Sequence, residues 1–167
     1  MNEVNFIKNA GRVIRHFHKW PVFHDAEILY IELDRESISV RIKLYAFDTL
    51  KELDEQGYYK QTKQCLVTLS LRKIQEIELY DFNEQNVLFN LTFEKKANEI
   101  VVTLTPSYGI RGRIVCQEVE VLGVEPLSQE PERKRGLRGP ARALRPEELK
   151  LIGKAGKRNP QIRGHKT

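Results

Sequence analysis

The chain has 167 residues, an apolar share of 40% and a formal charge of +5, a length that suits one domain with a real hydrophobic core. No apolar run approaches the roughly 18 residues that a membrane span needs, and two cysteines, Cys65 and Cys116, are too few for a disulfide framework or a zinc site. The charge is uneven: residues 127–167 hold 12 Lys and Arg against 4 Asp and Glu, a surplus of eight, while residues 1–126 hold 16 against 19, a deficit of three.

In chain order, Phe6, Ile7, Ala10, Val13, Ile14 and Phe17 stand at helical spacing. They predict one amphipathic helix over 3–17, with Lys8, Arg12 and Arg15 outside its apolar face. Trp20-Pro21 stops it, because a residue before proline avoids the helical region. Residues 26–35, rich in Ile, Leu and Tyr, predict a strand. A tight turn at Arg35-Glu36 leads into 37–46, where Ile38, Val40, Ile42, Leu44 and Ala46 alternate with Ser39, Arg41, Lys43 and Tyr45. Residues 47–61 leave two readings open: a helix capped by Asp48 and ended by Gly57, or a long twisted hairpin.

Beyond it, Cys65, Val67, Leu69 and Leu71 share one face, and Ile77 and Leu79 mark a short strand. Val87, Phe89, Leu91 and Phe93 alternate with Asn90, Thr92 and Glu94. A turn at Ala97-Asn98 sends Ile100, Val102 and Leu104 back. Residues 106–109 turn into a last strand over 112–124, whose apolar phase shifts between Cys116 and Val119 as at a β-bulge. Short connections and half-polar strands predict a mostly β, β-rich α+β domain over 1–126: a curved antiparallel sheet or partly open barrel of about seven strands with one N-terminal helix.

Residues 127–167 are rich in Gly, Pro and Arg and lack aromatic residues. Too few apolar groups are present to offset the entropy of ordering them, so a disordered basic tail is expected. Pro146 to Ala155 could form one short helix. The early acid and the missing h-region at the N-terminus speak against a signal peptide, and the two cysteines read as reduced core residues of a cytoplasmic protein.

Five motifs in order give a resemblance. They are Trp20-Pro21-x-Phe23-His24-Asp25-Ala26-Glu27, Asp54-x-x-Gly57-Tyr58-Tyr59, Leu66-Val67-Thr68-Leu69, Leu79-x-x-Phe82-Asn83-x-Gln85-Asn86-Val87-Leu88-Phe89, and Tyr108-Gly109-x-x-Gly112-x-x-x-Cys116-x-x-Val119-x-Val121. Across residues 20–126 the chain resembles the immunity protein 50 family, small bacterial domains associated with polymorphic toxin systems. The resemblance implies a mostly β fold and a protein that neutralises a cognate toxin, with no cofactor and no catalytic residue. Arg111 and Arg113 add charge where the family looks more neutral.

Read for chemistry, the residues offer little. His24-Asp25 has the form of an oriented base, with His16 and His18 nearby, but no nucleophile or third ligand accompanies it. Turn formation is the expected role of Asp25. Asn83, Gln85 and Asn86 are either a recognition cluster or the turn before the Val87 strand. Glu52, Asp54, Glu55, Tyr58 and Tyr59 are the candidate contact surface, tyrosines for area and carboxylates for a basic partner, with Glu76, Glu78, Tyr80 and Asp81 extending the acidic character. The expected function is a toxin inhibitor whose partner is encoded next door. The alternative is a nucleic-acid-associated accessory protein, binding weakly and non-specifically through the tail. A small-molecule pocket ranks last, because Ile42, Leu44, Phe89, Leu91, Phe93 and Leu104 are bulky enough to fill the interior.

Overall fold

Two strictly alternating runs become one long hairpin. In this computed structural model, which describes residues 4–128, β3 (Ser39–Leu53) and β4 (Tyr59–Arg72) pair antiparallel from Ser39↔Arg72 out to Leu53↔Tyr59. Val40, Ile42, Leu44 and Ala46 face Cys65, Val67, Leu69 and Leu71 in the core, every one buried. The second of the two readings of 47–61 is therefore the structure: a twisted hairpin with no helix in it.

The remaining elements are β1 (Ile7–Lys8), α1 (Gly11–Phe17), β2 (Glu27–Asp34), β5 (Glu76–Tyr80), β6 (Val87–Lys96), β7 (Glu99–Tyr108), β8 (Arg111–Cys116) and β9 (Glu118–Pro126). They form one nine-stranded sheet in the order β1-β9-β4-β3-β2-β6-β7-β8-β5. All pairings are antiparallel except β1 with β9. The mostly β class and the open, curved sheet expected from the sequence are present. The strand number differs, for two reasons: β1 was hidden inside the predicted helix, and the predicted last strand is two strands.

That division fixes the curvature. Gln117 alone separates β8 from β9, yet the two lie toward opposite ends of the strand order. The sheet must curl until its ends nearly meet. Beside this crossing runs the β4–β5 connection. Gln117 donates its amide to the Arg72 carbonyl at 3.2 Å, and Gln75 donates to the Val115 carbonyl at 2.8 Å. Glu118 closes the corner electrostatically, 2.6 Å from Lys73 Nζ and 2.7 Å from Lys8 Nζ. The two lysines, Lys73 first, hold its carboxyl at a pKa of about 2.

The helix is shorter than its apolar spacing suggests. Ile7 pairs with Val119 as a strand residue, Asn9 takes a left-handed φ of 58°, and the helix begins only at Gly11. It ends at Phe17 because His18 adopts a left-handed conformation, ahead of Pro21. Val13 and Phe17 are buried, whereas Ile14 is exposed. Sheet hydrogen bonding to β9 outcompetes the local helical preference of 4–10.

Three strand residues also depart from the alternation. Ile38 belongs to the turn over 35–38, which is organised by the Asp34 carboxylate accepting from the Glu36 and Ser37 amides, and it is exposed. Tyr45, on the outer face, is buried against Phe47 and donates its hydroxyl to Gln61 Oε1 at 3.0 Å. In β6 the register shifts on both sides of Leu88. Leu88 and Leu91 therefore point inward, and Phe89 is turned out at 57% exposure. Of the two shifts, the one between Leu88 and Asn90 leaves Phe89 as an extra residue of β6, which exchanges the faces.

Two outcomes check this architecture. Leu69→Ala, in the fully buried β4 face, should cost about 2–5 kcal/mol in urea denaturation, whereas Leu33→Ala at an exposed strand end should cost under about 1 kcal/mol. Because Glu118 titrates lower folded than unfolded, its contribution is complete above its ordinary pKa of 4.5 and lost as pH falls toward 2. Glu118→Gln should flatten the acid limb of the stability–pH curve in that window.

Candidate functional site

Three of the five motifs meet at the seam between β2 and β6. The strands share one register pair, Glu27↔Val87. Around it the Asp25 amide donates to the Leu88 carbonyl at 2.9 Å, Leu88 donates to Ala26 at 2.9 Å and Ile28 donates to Asn86 at 2.8 Å. Phe23 and Asp25 both take left-handed φ values, 57° and 60°, which cost about 1–3 kcal/mol each outside glycine. Buried Phe23, edge-on to Trp20, and the amide of Asp25 hold that shape. Trp20 in turn stands edge-on to Phe93 of β6, with ring centroids 5.7 Å apart.

Asn86 is the hub. Its buried carboxamide accepts at Oδ1 from the Asn83 and Ile110 amides, both at 3.0 Å, and donates from Nδ2 to the Asn83 carbonyl at 2.7 Å. Gly109 lies so close that a Cβ there would meet the Gln85 carbonyl and, at 2.7 Å, Asn86 Oδ1; its φ of 79° also favours glycine. Gly112, at φ 149°, passes against the Glu78 carbonyl of β5 just as tightly. Gln85 is buried, and Asn83 turns its Nδ2 to the Tyr108 hydroxyl at 3.4 Å. The bonds between Asn83 and Asn86 are those of a turn, while those to Ile110 and Tyr108 tie that turn to the β7–β8 connection.

His24 and Asp25 lie at the surface, Nδ1 to Oδ1 3.3 Å apart, with the His24 ring tilted against Phe89. His16 is elsewhere, its Nε2–H on the Lys63 carbonyl at 2.7 Å. Among the described residues no three His, Cys, Asp or Glu side chains are placed to share a metal ion. No helix there is long and apolar enough to cross a membrane. Cys65 and Cys116 are free and buried, and burial pushes their thiols up to about 12 and about 11. As neutral thiols they are inert fillers of the core.

The candidate contact residues sit at the tip of the β3–β4 hairpin. Asp54 forms its turn, accepting at Oδ1 from the Gln56 and Tyr58 amides, both at 2.9 Å. Glu52 pairs with Lys60 at 3.1 Å, and Glu55 is exposed. Leu53 and Tyr59 stand opposite each other across the ladder, 48% and 45% exposed, with Tyr58 half-buried. The sequence reading missed Leu53, and also Leu50, because an isolated leucine in a polar run carries no periodicity. The second acidic stretch is neutralised: Arg113 reaches Glu76 and Glu78 at 2.8 Å, and Arg111 reaches Asp81 at 2.6 Å and lies over the Tyr80 ring. The two arginines that looked out of place are the counter-ions of β5. Phe82, Phe89 and Tyr108 form a further exposed aromatic set around the Asn86 turn. The basic tail lies outside the described residues.

Removing the hub has a definite cost. Asn86→Ala orphans the buried Ile110 amide and should destabilise by about 1–3 kcal/mol, the cost of one unsatisfied buried group. His24→Ala should change stability by less than about 1 kcal/mol. Denaturation midpoints of the two variants test the contrast.

Comparison with curated proteins and with solved structures returns no match. The family model described as Immunity protein 50 matches residues 9–127, a span that contains the seam, the hairpin and both glycines. The chain belongs to the immunity protein 50 family.

Proposed function

We propose that the protein neutralises a cognate bacterial toxin by direct protein–protein contact, and that the β3–β4 hairpin tip carries the contact. Family membership over residues 9–127 is the observation that carries the first part, and immunity proteins are not typically enzymes. Support for the second part is local. Glu52, Asp54, Glu55, Tyr58 and Tyr59 gather within one turn of chain, beside the exposed Leu50 and Leu53. Tyrosine and leucine supply contact area at low entropic cost, and the carboxylates complement a basic toxin. The deficit of three charges in residues 1–126 would steer such a toxin toward the domain and quicken capture.

A rigid base suits this role. The hairpin grows directly from the fully buried part of β3 and β4, so its tip is presented without a flexible linker and little ordering is needed on binding. The inhibitor would act in the cytoplasm, in keeping with its two free thiols, and the toxin would be the product of an adjacent gene.

Co-expression of the full chain with the product of the neighbouring gene should give a complex that co-purifies and rescues growth. Tyr59→Ala and Leu53→Asp should each weaken it by roughly 30-fold or more, about 2 kcal/mol, with an unchanged circular dichroism spectrum. A complex indifferent to both changes would remove the hairpin from the interface; no complex with any neighbouring product would remove the inhibitor reading.

A further inference from the structure

A stripe of nitrogen-bearing side chains on α1 faces an edge of the sheet. Arg12, Arg15 and His16 are three and four residues apart, which places them along one side of the helix. With Gly123, Val124 and Pro126 of β9 they line a cleft of about 500 Å³. Arg12 is anchored by donating from Nη1 to the Leu122 carbonyl, and His16 by the Lys63 carbonyl. Arg15 is exposed and has no ion-pair or hydrogen-bond partner among the described residues. The acid on this part of β9, Glu125, is turned to Lys43 at 3.6 Å and does not line the cleft.

The edge belongs to β9. β1 covers it only at Val119 and Glu120. Leu127 donates its amide to the Gln64 carbonyl on the β4 side. Backbone direction alternates along a strand, so the N–H and C=O of Val124 face the other, uncovered side. Among the described residues no strand pairs there. Natural sheets blunt or cover such edges; here the covering group is a guanidinium, and the slot it leaves is positively charged.

We propose that this cleft docks an extended peptide with carboxylate side chains, which adds to β9 beyond β1 and sets its acids on Arg12 and Arg15. Main-chain pairing at Val124 adds to the affinity, the Leu122 carbonyl being taken by Arg12, and the guanidinium fork matches a carboxylate. Charge selects the occupant. The following residues of this chain, 129–167, carry 12 Lys and Arg against 4 acids, so their charge does not complement the two arginines. The inference does not depend on the toxin reading, which concerns the β3–β4 hairpin.

The test is fluorescence anisotropy on the full-length protein with a labelled eight-residue peptide alternating glutamate and valine. Binding should saturate and weaken at least about tenfold between about 50 and 500 mM salt. It should weaken at least about tenfold for Arg15→Glu, for a glutamine–valine peptide, and for the same peptide with N-methylated amides. Arg15 is exposed, so its variant should keep the parent spectrum. Absence of binding by the parent protein would overturn the proposal, as would N-methylation or Arg15→Glu without effect. Displacement of the peptide by millimolar inorganic phosphate would assign the cations to phosphate and overturn it equally.

Discussion

The sheet is held together at a seam one register pair wide, where Glu27 of β2 meets Val87 of β6, and the Asn86 carboxamide fixes the chain on one side of it. A single amide can do this because it is buried and its contacts are internal: it takes two backbone amides and gives to one carbonyl. In a low-dielectric interior such bonds are strong when made and costly when left open. Five strands on one side and four on the other are thereby set at one angle, and the angle determines how far the sheet curls.

The opposite corner responds to the same curl. Only a strongly curved sheet brings β8 within one residue of β9 and lays the β4–β5 connection beside them. Glu118, between Lys73 and Lys8, ties that corner to the N-terminal strand. Seam and corner together convert an open sheet into a stiff shell with a filled interior. Strained positions such as Phe23 and Asp25 persist because both ends of the shell over-determine them.

Stiffness bears on function. A binding protein loses affinity for every group it must order on contact, and here the exposed groups rise from buried ladders. The β3–β4 tip has an outward leucine–tyrosine pair beside carboxylates, while the α1–β9 cleft has Arg12 and Arg15 beside a stretch of β9 that, among the described residues, no strand pairs. The two surfaces differ in sign and in the backbone they offer. The acids of β5 and Asp81, by contrast, are paired across the β5–β8 ladder with Arg111 and Arg113, so they are spent within the sheet.

Periodicity is a local property, and it wrote the class of fold, the hairpins, and the inward faces of β3, β4 and β7 into the chain. The motifs around Trp20, Asn86 and Gly109 were equally legible as a family signature, though not as one structural joint. What the sequence left undecided is everything set by partners far along the chain. Ile7 is a strand residue because β9 is there to pair with it. Phe89 faces water because two bulges beside Leu88 satisfy the seam's hydrogen bonds, and Tyr45 is buried because its own hairpin folds Phe47 and Gln61 over it. A strand's alternation says which residues share a face. Only the hydrogen bonds and curvature of the assembled sheet decide which face is inside.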